Sequence, residues 1–197
     1  MRKIYLIAVC AALLIGGGPA RAAEFLYGVL APPPPPPQPA FLTLTELRIG
    51  GFVHDPTSPE RGSVDLNAEF LLGKVAHVDS AFWAQFIPRV HVGTTANFAG
   101  KTSQLYSGLT WDYDITRRVF VEGTFGGSFN DGDTARHPAP GHNAIGCHPM
   151  FRESASLGLR ITDNVSVLGT IEHTSNAGFC KQNRGLTNMG GRIAYTF

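Results

Sequence analysis

The residues best suited to chemistry stand together near the end of the chain, in Val165-Ser-Val-Leu-Gly-Thr-Ile-Glu-His173-Thr-Ser175-Asn176-Ala177-Gly178. A serine hydroxyl becomes a nucleophile when a base takes its proton, and imidazole is the side chain best placed to do so near neutral pH. On an extended strand the two-residue spacing of His173 and Ser175 puts both side chains on one face. Their Cα atoms are then about 6.5–7 Å apart, close enough for rotamers that lean together to reach hydrogen-bond distance. Val165, Val167, Gly169 and Ile171 fall on the same face. A polar pair therefore ends an apolar stripe, and the chemistry it offers is nucleophilic attack by a base-activated serine.

Cysteine and histidine provide a second group of candidates. Once an N-terminal leader is removed, Cys147 and Cys180 remain, and export would carry them to a compartment where a disulfide persists. Two free buried thiols are one alternative. A zinc site joining Cys147 to His137, His142 and His148 is another, although that spacing fits no standard zinc pattern. The sequence has no paired metal carboxylates and no Gly-rich phosphate loop, so no metal is expected.

Composition limits what can hold these residues. Of 197 residues, 43% are hydrophobic and 16% charged, which excludes a disordered chain and a long charged helix. The one apolar run near bilayer length is Ile4–Gly18, so a helical multi-span protein is excluded too. With Arg2 and Lys3 before it and Ala20-Arg21-Ala22 after it, that run reads as a signal peptide over residues 1–22. Its removal leaves 13 basic against 15 acidic side chains, and no basic excess points to nucleic acid. Residues 23–45, with Pro32–Pro37 and Pro39, are expected to form an extended, semi-rigid periplasmic tether.

From residue 46 to 197 short alternating segments are divided by turn residues. They predict eight strands: Leu47–Val53, Val64–Leu72, Phe86–Phe98, Leu105–Ile115, Val119–Phe129, Phe151–Ile161, Val165–Ser175 and Thr187–Phe197. Their faces are sorted against the rule for soluble proteins. Leu105, Leu109, Trp111, Tyr113 and Ile115 share one side of the fourth strand, and Thr110, Asp112 and Asp114 the other. In the sixth, Ala155, Leu157, Leu159 and Ile161 oppose Ser154, Ser156 and Arg160. A soluble ligand-binding barrel would bury those charges at high cost. A narrow membrane barrel packs a polar interior and turns its apolar residues to lipid. Short links at 116–118 and 162–164 contrast with long ones at 130–150 and 176–186. Trp83, Trp111, Tyr113, Tyr195 and Phe197 gather at the short-turn end, as an interfacial girdle would. The expected fold is all-β, an eight-stranded antiparallel transmembrane barrel of the outer-membrane type, which places the protein in the outer membrane of a Gram-negative bacterium.

The run His173-Thr174-Ser175-Asn176-Ala177-Gly178, with Asn183-x-Gly185 and a last strand ending in Phe197, resembles the lipid A 3-O-deacylase family of PagL-like outer-membrane hydrolases. The resemblance is closest over residues 171–197. It implies a lipid-facing His–Ser–acid site that hydrolyses an ester-linked acyl chain of lipopolysaccharide, at the 3-O position, without metal or organic cofactor. The implied partners are lipopolysaccharide and the outer-membrane lipids. His173 would be the base and Ser175 the nucleophile, while Asn176 and the amide of Gly178 match positions that hold the oxyanion. At the family's acid position stands Thr187, which cannot stabilise an imidazolium as a carboxylate does.

Strand pairing suggests another acid. If residues 162–164 close the hairpin, Ile161 faces Val165 and Glu153 falls opposite His173 on the same outward face. That register also brings Cys147 and Cys180 within one residue of facing each other, which favours the disulfide. Arg61, Lys101, Arg136, Arg152, Lys181 and Arg184 gather toward the long-loop side, where they could hold the phosphates of lipid A. Asp55, Glu60, Asp131 and Asp133 share that rim, so a mixed solvated surface is the competing reading. The rival function is non-enzymatic, a structural or adhesive barrel whose loops bind other surfaces. Only the run from His173 to Gly178 separates the two.

Overall fold

Alternation of apolar and polar residues over ten to twelve positions gives strands long enough to cross a bilayer when tilted. A computed structural model describes residues 42–197; the expected signal peptide and residues 23–41 of the expected tether lie outside the described residues. The elements are β1 (Leu44–Val53), β2 (Val64–Lys74), α1 (Ala81–Ala84), β3 (Arg89–Asn97), β4 (Gln104–Asp114), β5 (Val119–Asn130), β6 (Pro149–Arg160), β7 (Val165–Ser175) and β8 (Leu186–Thr196). Each strand pairs antiparallel with the next, and β1 closes on β8, leaving no free sheet edge.

Two strand starts differ from expectation by three residues, and the other boundaries by two at most. The barrel starts at Leu44, so residues 44 and 45 belong to β1 and not to the tether. β3 starts at Arg89, not at Phe86. Ser80 caps a helical turn by accepting from the Trp83 amide, and Pro88, with no N–H to give a ladder, delays the strand by one more residue.

The reversed sorting of faces holds along the wall, although Phe52, Leu71, Phe120 and Leu168 turn inward and are buried. Ile49, Leu66, Leu105, Leu157, Ile171 and Ile193 are exposed on the outer surface. The interior is ionic: Arg48 reaches Glu46, Glu69 and Glu122, Arg192 reaches Glu69, and Arg152 pairs with Glu172. Buried charges are tolerable when they are paired and hydrogen bonded in this way. These side chains fill the lumen, so the barrel is a scaffold and its outer wall is the surface that lipid meets.

At one end the links 115–118 and 161–164 are tight. In each, a threonine hydroxyl accepts from the amide three residues on: Thr116 from Val119, and Thr162 from Val165. The second turn fixes the β6–β7 register, with Ile161 N–H donating to Val165 O. At the other end lie the longer loops 54–63, 131–148 and 176–185 and the shorter loop 98–103, which emerge above the ends of the strands.

Candidate active site

His173 and Ser175 occupy the last outward positions of β7, at the long-loop end of the wall, and both are half-buried. Their neighbours in sequence show why they face out. Glu172 turns inward to Arg152, and the Thr174 hydroxyl donates to Gln104 Oε1 inside the barrel. The β6–β7 register is the one expected, with Glu153 opposite His173 and Phe151 opposite Ser175.

On the other side His173 faces Thr187. Its Nδ1 lies 2.8 Å from Thr187 Oγ1. With the proton on Nδ1 and donated to that oxygen, Nε2 keeps its lone pair, the tautomer a general base requires. The ring also rests against Gly185, whose φ is +70°; a Cβ built there would stand 3.0 Å from His173 Cε1 and from Thr174 O. A side chain at 185 would displace either the imidazole or the backbone. Neither His173 Nε2 nor Ser175 Oγ has another hydrogen-bond partner among the described residues. Two groups one strand step apart are thus free to meet each other and a substrate. Such contacts are commonly loose until substrate binds.

The turn after Ser175 is tightly organised. Asn176 is buried: its Nδ2 donates to Ile145 O and Gln182 O, and its Oδ1 accepts from the Gly178 amide at 3.0 Å. The Asn176 amide donates to Asn183 Oδ1. Asn176 therefore spends its side chain on shaping the loop, and the Gly178 N–H is already engaged. Ala177 and Gly178 have φ of +51° and +84°. The Ala177 N–H, two residues past the serine, has no partner among the described residues and is the amide most available to an oxyanion. Cys147 and Cys180 form a disulfide between loops 131–148 and 176–185, which removes Cys147 from any zinc site with His137, His142 and His148.

Glu153 projects outward in a lateral row between Phe125 on β5 and His173 on β7. It is exposed, and its carboxylate has no hydrogen bond or ion pair among the described residues. Of the basic residues expected near the rim, Arg152 is misplaced: it points into the barrel, pairs with Glu172 and stacks over Tyr106. Strand alternation decides this, since Arg152 and Glu153 must face opposite ways. Arg61, Arg136, Lys181 and Arg184 stay exposed, with Arg184 donating to Thr57 O and Lys101 to Gly141 O.

Behind the site the loops meet in a buried cluster. His54 sits between Asp65 and Glu60, at 2.8 Å from each, and Glu60 also accepts from Thr102 and from the Asn143 amide. Burial works against a charged imidazole, but the hydrogen bonds and charges of Asp65 and Glu60 outweigh it and hold His54 up to about 9. Burial likewise opposes the Glu60 carboxylate, and its bonds to His54, Asn143 and Thr102 hold it well below the ordinary range. The sequence gives no sign of this cluster, because its members come from three loops and a strand end that meet only in the folded barrel. The Thr187–His173 contact, by contrast, follows from the pairing of β7 with β8.

The crystal structure of the outer membrane enzyme PagL superposes with a TM-score of 0.53 at 15% identity, covering 79% of this chain and 100% of that one. A chain from the de novo design of transmembrane beta-barrels superposes at 0.50 with 14% identity, covering 82% of this chain and 100% of the design. At these identities both show the fold alone. No curated protein matches by sequence. The family model for lipid A 3-O-deacylase (PagL) matches residues 77–196, from before β3 through β8. The chain belongs to the lipid A 3-O-deacylase (PagL) family.

Proposed function

We propose that this outer-membrane barrel hydrolyses an ester-linked acyl chain, at the 3-O position, of the lipid A part of lipopolysaccharide. The observation that carries the reading is the outward His173–Ser175 pair at the long-loop end of the wall, with Nδ1 held by Thr187, in a chain of this family. A polar pair on a lipid-facing wall is costly and is a functional feature by default. Apolar residues below it, Ile171 and Met189, and Phe151 beside it form a surface that an acyl chain can follow.

Ser175 Oγ attacks the ester carbonyl while its proton passes to His173 Nε2. The Ala177 amide, left without a partner in the 176–178 turn, meets the charge that develops on the carbonyl oxygen. Gly178 contributes by sharing its N–H with Asn176 Oδ1, and Asn176 contributes by shaping the turn. Collapse expels the sugar oxygen, which takes the proton from His173. Water then attacks the acyl-serine, with His173 again as base, and releases the fatty acid. Glu153 is the acid we assign to the site, its charge facing the imidazolium across the hairpin. The exposed Arg61, Arg136, Lys181 and Arg184 can meet lipid A phosphates at the rim.

Mass spectrometry of lipid A from Gram-negative cells that express the protein tests this. The wild type is expected to remove one acyl chain, and Ser175→Ala and His173→Ala to leave lipid A intact while retaining a folded, heat-modifiable barrel. Removing one member of such a unit costs nearly as much as removing all of it. Unaltered lipid A with the wild type, or full deacylation by Ser175→Ala, would overturn the assignment; the first result favours the adhesive barrel.

A further inference from the structure

We infer that Asp55 is the positioning residue of this site, holding through Thr187 and Gly185 the imidazole that the proposed mechanism uses as base. The inference rests on that mechanism.

Asp55 lies two residues beyond the end of β1. Because β1 pairs Val53 with Met189, the continuing chain arrives beside Thr187, and its φ of 31° breaks the strand there. The backbone N–H of Asp55 donates to Asn188 Oδ1 at 3.0 Å. Its carboxylate then makes two contacts that converge on His173 from different directions. Oδ1 accepts from the Thr187 amide at 3.3 Å, the residue whose hydroxyl takes Nδ1. Oδ2 accepts from Asn143 Nδ2 at 2.6 Å, and the same Nδ2 reaches Gly185 O at 3.3 Å, the residue against which the ring lies.

Asp55 is only 4% exposed, and no Lys, Arg or His pairs with its carboxylate among the described residues. A buried carboxylate held by neutral donors alone is expensive. In the resting enzyme no cation pairs with it among the described residues, since His54, its neighbour in the chain, is turned to Asp65 and Glu60. During acylation His173 becomes a cation on the far side of Thr187, and a buried charge at that distance acts in a medium that screens it little. Asp55 therefore sets the orientation of the ring through its two hydrogen-bonded neighbours and adds a negative field behind the Thr187 hydroxyl. The charged group facing the ring from the paired strand is Glu153 on β6, while Arg184, one residue before Gly185, donates to Thr57 O. Thr187 explains how a family site works without its usual carboxylate at this position: the hydroxyl receives Nδ1, and the charge stands one residue behind it.

The test is a double-mutant cycle on the purified, refolded full barrel with lipid A in mixed micelles, measuring kcat and KM for acyl release. Asp55→Asn is expected to lower kcat about ten- to hundredfold with KM within about twofold. Thr187→Val should lower it similarly, Thr187→Ser should retain most of the rate, and Asp55→Asn/Thr187→Val should be little slower than the slower single variant. A wild-type kcat in Asp55→Asn, or effects that multiply independently, would overturn the proposal. Should Asp55→Asn lose heat-modifiability, Asn143→Ala replaces it in the cycle with the same expectation. If Ser175→Ala is inactive while Asp55→Asn is normal, only this inference fails; if Ser175→Ala is active, the mechanism beneath it fails first.

Discussion

Glu153 and His173 stand directly opposite each other across the β6–β7 hairpin, both turned to the outside of the barrel. Cross-strand partners have Cβ atoms about 4.5–5.5 Å apart, so a carboxylate and an imidazolium there attract by about 1–3 kcal/mol, depending on how far water or headgroups screen them. No hydrogen bond joins them in the resting structure. The contribution is thus a field that grows when His173 becomes charged.

Glu153→Gln removes that field and keeps the shape. Turnover should fall about ten- to hundredfold at neutral pH, with unchanged heat-modifiability on gels. Near wild-type rates in this variant would show that Glu153 is a bystander on the rim and that the base is oriented from the Thr187 side of the ring.

Gly185→Ala probes the other side of the ring. The position has positive φ, and the new methyl group meets His173 Cε1 and Thr174 O at 3.0 Å. Stability should drop by roughly 1–2 kcal/mol from the backbone alone, and kcat by more than that loss of folded enzyme explains, because the imidazole must shift. Unaltered kcat per folded molecule would mean that the ring has room the structure does not suggest.

Most of the barrel was legible because its physics is periodic. Alternation over ten residues reports a strand, its inverted polarity reports lipid outside, and a three-residue turn at 162–164 fixes a register that puts Glu153 against His173. The same logic, carried one hairpin further, pairs His173 with Thr187. What periodicity cannot report is a contact between loops. Asp55, Asn143 and Gly185 come from three loops, and only the closed barrel brings them behind one imidazole. Asn176 shows a subtler limit: its match to the family run identifies the residue, but its buried amide is spent on Ile145 and Gln182.

The His54 cluster predicts how the loops answer to pH. The His54 imidazole is held up to about 9 from an ordinary 6.5, so its contribution is complete below 6.5 and is lost as pH rises through 9. Glu60 is held below its ordinary 4.5, so its contribution is present above that value and is lost as pH falls through the lowered one. The loops should be firmest between about pH 4.5 and 6.5. Amide hydrogen exchange across residues 54–63 should quicken at pH 10 relative to pH 6 beyond the intrinsic effect of base. Equal protection at both, after that correction, would show that the cluster does not anchor the loop.

The disulfide between Cys147 and Cys180 joins the loop that carries Asn143 to the loop that follows Ser175. Cross-links across a separation of this size stabilise by about 3–4 kcal/mol on chain-entropy grounds. The strands do not depend on it, and Asn176 still ties the two loops through Ile145 O. Cys147→Ser/Cys180→Ser, or the wild type under reductant, should therefore keep a heat-modifiable barrel but become open to proteolysis within residues 176–185. Activity should fall with that loosening, since the Ala177 and Gly178 amides sit in the released segment. Protease resistance and turnover unchanged by reduction, with both thiols verified by alkylation, would show that hydrogen bonds alone hold the turn.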